Sequence, residues 1–94
     1  MEHFTDEQKI ILLQGKYDSL KEESEQWENI TGMASVFVKH AMQGLKEDPK
    51  DEELAKALFN QTEYLFAGKK YLKHLYEEMD NVKKEMNTLK KGSA

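Results

Sequence analysis

The chain has no cysteine, no arginine, a single proline and no long apolar run. Without cysteine there is no disulfide framework, no thiolate nucleophile and no cysteine-ligated zinc, and the redox compartment leaves no mark on the composition. Without arginine, all fourteen basic residues are lysines and the formal net charge is -4. A nucleic-acid binder needs clustered cations, and the guanidinium is the side chain best shaped for phosphate and guanine, so nucleic acid is excluded as a partner class. The apolar runs fall far short of the ~20 residues that span a bilayer, and the opening MEHFTDEQ is acidic and polar, unlike a secretory signal. These features predict a cytoplasmic protein with no membrane partner. The five glycines, at 15, 32, 44, 68 and 92, are too dispersed to cradle a phosphate.

What is present is charge and helical pattern. Charged residues make up 34% of the 94, above the roughly 25% usual in globular chains and typical of long helices and coiled coils. Aromatics at 10% argue against disorder. The length allows one helical domain over residues 1–94, with 1–5 and 92–94 outside the pattern and expected to be flexible.

Thr5 begins a capping box with Gln8, and Asp6 and Glu7 suit the positive end of a helix dipole. From there a heptad seam runs through Ile10, Leu13, Tyr17, Leu20, Ser24, Trp27, Thr31, Ala34, Val38, Ala41 and Leu45. Asp48 and Pro49 interrupt it. Asp48 reads as the cap of a second helix with Pro49 as its first residue, followed by the acidic Asp51, Glu52 and Glu53. The second seam is Leu54, Leu58, Gln61, Leu65, Gly68, Leu72, Leu75, Met79, Val82, Met86 and Leu89. The spacing therefore predicts an all-α antiparallel hairpin of two long helices, about 6–46 and 49–91. Near the implied register Lys16 faces Glu78, and Trp27 falls opposite Gly68, which would give a mid-helix glycine a packing reason. The alternative is a compact three- or four-helix bundle, broken near Gly32 and Gly68.

One seam buries one stripe of each helix and leaves other apolar residues over. Ile30, Met33, Val36 and Phe37 on the first helix, with Phe59, Tyr64 and Phe66 on the second, fall in the half nearer the turn. Exposed apolar patches mark partner sites, so these seven residues are the predicted protein interface. The expected partner is a second copy, because an isolated two-helix layer has little core and dimerisation into a four-helix bundle supplies the missing layer.

No catalytic chemistry is legible, and no enzymatic activity, cofactor or metal is expected. His40 and His74 sit at outward heptad positions, no glycine-framed elbow surrounds a serine, and the inward Glu-any-any-His pattern of di-iron bundles is missing. The reading is a non-enzymatic interaction module, a small regulatory or accessory factor of bacterial or phage origin. In length and hairpin plan the chain also resembles the small type VII secretion substrates and their helical partners, which implies export. Those proteins carry Trp-any-Gly at the turn, where this chain has Glu47-Asp48-Pro49, and its Trp27 precedes Glu28 and Asn29. A further resemblance, to histidine phosphotransfer domains, rests on an exposed His40 followed by Ala41, Met42, Gln43 and Gly44, where that family has His-any-Leu-Lys-Gly. It implies phosphorelay through His40.

Overall fold

A computed structural model describes residues 3–92. They form two α-helices, α1 over Asp6–Glu47 and α2 over Glu52–Gly92, packed against each other as an antiparallel hairpin. No strand occurs among the described residues. Both helices pass through their glycines without a break, and no described glycine takes a positive φ. The alternative of shorter helices broken at Gly32 and Gly68 is thereby overturned. The seam residues around Gly32 and Gly68, among them Thr31, Ala34, Leu65 and Leu72, remain buried through both sites.

The start of α1 is the expected capping box. The Thr5 amide donates to Gln8 Oε1 at 2.9 Å, and the Gln8 amide donates to Thr5 Oγ1 at 3.2 Å. Two amides that the helix cannot pair internally are thus satisfied reciprocally, and Thr5 is held in place. At the other end Gly92 is the last residue of α2, inside the segment expected to lie beyond the helix. For Met1, Glu2, Ser93 and Ala94 that expectation lies outside the described residues.

The turn departs from the sequence reading. The Asp48 amide makes a final helical bond to Gly44 O at 2.9 Å, so Asp48 closes α1 and does not open α2. Its carboxylate accepts from the Lys50 amide and its carbonyl from the Asp51 amide, each at 3.3 Å. Asp48-Pro49-Lys50-Asp51 is therefore a tight turn with proline at its second position, where a fixed φ is an advantage. Asp51 is the true cap of α2. Its Oδ1 accepts from the Leu54 amide and its carbonyl from the Ala55 amide, both at 3.0 Å. Reversing the chain needs four residues outside the helical path, and those residues could not also serve as the first turn of α2.

All 22 seam positions are buried or half-buried, and every fully buried residue among those described is one of them. The hairpin divides into two compact units, one made of residues 1–25 with 73–94, the other of Gln26–Leu72. In the first, here the end unit, Leu13, Val82 and Met86 form a core against which Tyr17, Leu20 and Leu89 pack. Leu75 is only 2% exposed. In this unit the buried Ser24 donates its hydroxyl to Lys21 O at 2.7 Å.

The turn-proximal unit has a different seam. Its fully buried α1 positions are small, Thr31, Ala34 and Ala41, with Trp27, Val38 and Leu45 half-buried, and its α2 side buries Leu65, Gly68 and Leu72. A Cβ on Gly68 would lie 2.7 Å from Thr31 Cγ2 and 3.5–3.6 Å from the Trp27 ring. The expected pairing of Trp27 with Gly68 is thus present, with Thr31 the closer contact. Thr31 Oγ1 donates to the carbonyls of Trp27 and Glu28, at 2.9 and 3.1 Å, so its buried hydroxyl is satisfied within the helix.

Candidate functional site

Small residues at the buried α1 positions let the two backbones approach, and large side chains off the seam are left uncovered. In the turn-proximal unit those side chains stay outside. Met33 is 73% exposed, Phe59 64% and Phe66 60%, and Val36, Phe37 and Tyr64 are exposed as well. Ile30 is half-buried.

Four of the seven predicted interface residues come together. Ile30, Met33, Phe37 and Tyr64, with Ala34 and Gln61, line an open hollow of about 350 Å³. At 3.6 residues per turn, Ile30, Met33 and Phe37 fall within about 60° of one another on α1, so they stand as one wall. Tyr64 supplies the facing wall from α2. The buried Ala34 has a side chain too short to reach the level of its neighbours, so it leaves a recess among them. Gln61 adds an amide to an otherwise apolar lining.

The facing wall is braced from behind. Trp27 meets Tyr64 with ring centroids 6.0 Å apart and Tyr71 edge-on at 5.4 Å. Tyr64, Gly68 and Tyr71 share one face of α2 at i, i+4 and i+7, so the two tyrosines flank the slot that Gly68 opens for the indole. Each such aromatic pair contributes about 0.5–1.5 kcal/mol beyond the area it buries. This orders Tyr64 before any partner arrives.

The other three predicted interface residues stand elsewhere. Phe59 and Phe66 are seven residues apart on one face of α2, about 140–160° around that helix from Tyr64, and Val36 lies on the outer face of α1. None of them lines the hollow. The surplus apolar residues thus divide into a concave face on one side of the unit and a convex pair of phenylalanines on the other. Sequence reasoning did not assign Ala34 and Gln61 to the site because both occupy seam positions. Tyr71 was also missed, although its spacing of seven from Tyr64 was the available signal.

The end unit shows a mixed hollow, lined by Tyr17, Tyr76, Met79, Asp80 and Lys83, and two that are more polar. One is lined by Lys16, Glu78, Asn81, Val82 and Glu85 and another by Asp18, Lys21, Glu22 and Glu25. Lys16 and Glu78 thus lie beside each other as the register predicts. The Glu78 carboxylate, however, approaches His74 Nε2 at 3.4 Å on its own helix, and Lys84 pairs with Asp80 at 2.9 Å, again one turn away. Intrahelical partners at i, i+4 are already in reach, whereas a cross-helix pair must order two long side chains in water.

His40 is exposed on α1 and His74 is taken up by the contact with Glu78. Among the described residues no three histidines, aspartates or glutamates are placed to hold a metal ion, and no helix is long and apolar enough to cross a membrane. No family model matches the chain, and no curated protein or solved structure matches it significantly.

Proposed function

We propose that this protein is a non-enzymatic interaction module that works by packing the apolar side chains of its turn-proximal unit against another polypeptide. That polypeptide is first of all a second copy of itself, joined as a four-helix bundle. The observation that carries this reading is the display of large apolar residues on both helices of one unit, outside its seam.

The exposed area supports it. The chain presents 7348 Å² to solvent at a mass of 11.0 kDa. A compact monomer of that mass presents about 5,600 Å², so about 1,700 Å² remains over. A standard interface takes only about 800 Å² from each partner, and obligate homodimers take more. In function the module would be a small accessory or regulatory factor of bacterial or phage origin, with the charged end unit keeping it dispersed in the cytoplasm.

Sedimentation equilibrium from low to high micromolar concentration tests the reading. The expected species has twice the 11.0 kDa mass, and converting both Phe37 and Phe66 to Asp returns it to a monomer with unchanged helical circular dichroism. A wild-type chain that stays monomeric throughout overturns self-association.

A further inference from the structure

We infer that the second copy is received on the concave face alone, in a closed two-fold contact in which Met33 and Phe37 of each chain enter the hollow of the other. This rests on the self-association proposed above and adds to it the face and the symmetry.

A two-fold contact uses the same patch on both subunits, so the patch must carry its own knobs and its own holes. The concave face does. Met33 and Phe37 project as exposed knobs beside the recess left by the buried Ala34, all on α1, while Tyr64 and Gln61 close the recess from α2. One face therefore offers both halves of a knob-into-hole fit. Tyr64 is held by Trp27, so ordering that wall takes little entropy from association. The amide of Gln61 is a polar group that can fix the register of the paired faces, a role that fits a mostly apolar site with few polar groups.

The opposite face lacks these properties. Phe59 and Phe66 lie about 140–160° around α2 from Tyr64 and Gln61, and the helical positions next to them are Ala55, Lys56, Thr62, Glu63, Lys69 and Lys70. Such a convex pair between charges offers knobs without a hole. It could serve only a head-to-tail contact in which the phenylalanines of one chain fill the hollow of the next, and an unclosed contact of that kind grows beyond a dimer.

The lack of cysteine in the chain makes the choice readable by single-cysteine cross-linking. Met33→Cys and Phe66→Cys are prepared separately and mixed, and each sample is oxidised with a mild thiol oxidant and scored for disulfide-linked dimer. Sedimentation of the reduced proteins is run in parallel. Within a dimer the neighbouring thiol is at millimolar effective concentration, so at micromolar protein Met33→Cys is expected to link to itself at least about tenfold faster than Phe66→Cys. Faster self-linking of Phe66→Cys in a protein that sediments as a dimer overturns the choice of face and leaves the proposed function standing. Preferential linking of the two variants to each other in the mixture overturns the two-fold symmetry. Monomeric sedimentation of all samples removes the proposed self-association and this inference together, and leaves an unlike protein as the remaining occupant.

Discussion

The two units of the hairpin share one heptad phase and differ in the size of the side chains they place in it. In the end unit the seam holds Leu13, Tyr17, Leu20, Leu75, Val82, Met86 and Leu89, and these form a core. In the turn-proximal unit the fully buried α1 positions are the small Thr31, Ala34 and Ala41, set against Leu65, Gly68 and Leu72 of α2 with Trp27, Val38 and Leu45 half-buried, and further bulky residues are displayed outside the seam. The end unit does expose Ile11 and Leu12, and one of its hollows is walled by Tyr17, Tyr76 and Met79. Yet charged residues line each of its described hollows, whereas the hollow at Ile30, Met33 and Phe37 has none. A hairpin with large residues inside completes its own core. Where small residues fill the buried α1 positions, the helices approach closely and large apolar side chains stay exposed beside the seam.

This comparison can be broken most forcefully by truncation. Leu75→Ala in the end unit is expected to cost about 2–4 kcal/mol, because a buried leucine leaves a cavity that two helices close only in part. Phe59→Ala in the turn-proximal unit removes a larger ring but should change stability by less than about 0.5 kcal/mol, since that ring is already in water. Urea unfolding at one fixed protein concentration checks both, because self-association makes stability depend on concentration. Equal losses would remove the distinction between an inward and an outward apolar set.

The glycines sharpen it on a finer scale. Gly68→Ala places a methyl group 2.7 Å from Thr31 Cγ2, and the hydroxyl bonds of Thr31 to two carbonyls hold that side chain where it is. Overpacking of this kind costs about 1–3 kcal/mol, against about 1 kcal/mol gained in helix propensity, and with Thr31 held in place a net loss of up to about 2 kcal/mol is expected. Gly32→Ala meets nothing within 4 Å and should stabilise the chain by about 0.8–1.0 kcal/mol through propensity alone. Thermal unfolding of the two variants should therefore shift in opposite directions. Stabilisation by Gly68→Ala would show that the close approach is not needed.

Much of the fold was legible because helix seams repeat locally. Leu13 and Val82 announce their burial through neighbours three and four residues away, and Thr5 with Gln8 announces a cap within one turn. The turn was read one step wrong because Asp48 and Asp51 are chemically equivalent as caps, and choosing between them requires knowing how many residues the reversal consumes. The site was legible as a set of residues and not as a surface. Met33 and Phe66 both read as surplus, but whether they share a face depends on the rotation of each helix about its axis, which a list of apolar positions does not contain.

The sequence by itself determined that there are two helices, where they start and stop to within a few residues, and which stripe of each is buried. All of that follows from periodicity and from hydrogen bonds spanning three or four residues. Only the tertiary structure decided that Gly68 is a slot for Trp27, that the indole braces Tyr64, and that Ala34 lies at the base of a recess between Met33 and Phe37. Those features come from the packing of α1 against α2, between residues far apart in the chain, where the size of one side chain sets the room left for another.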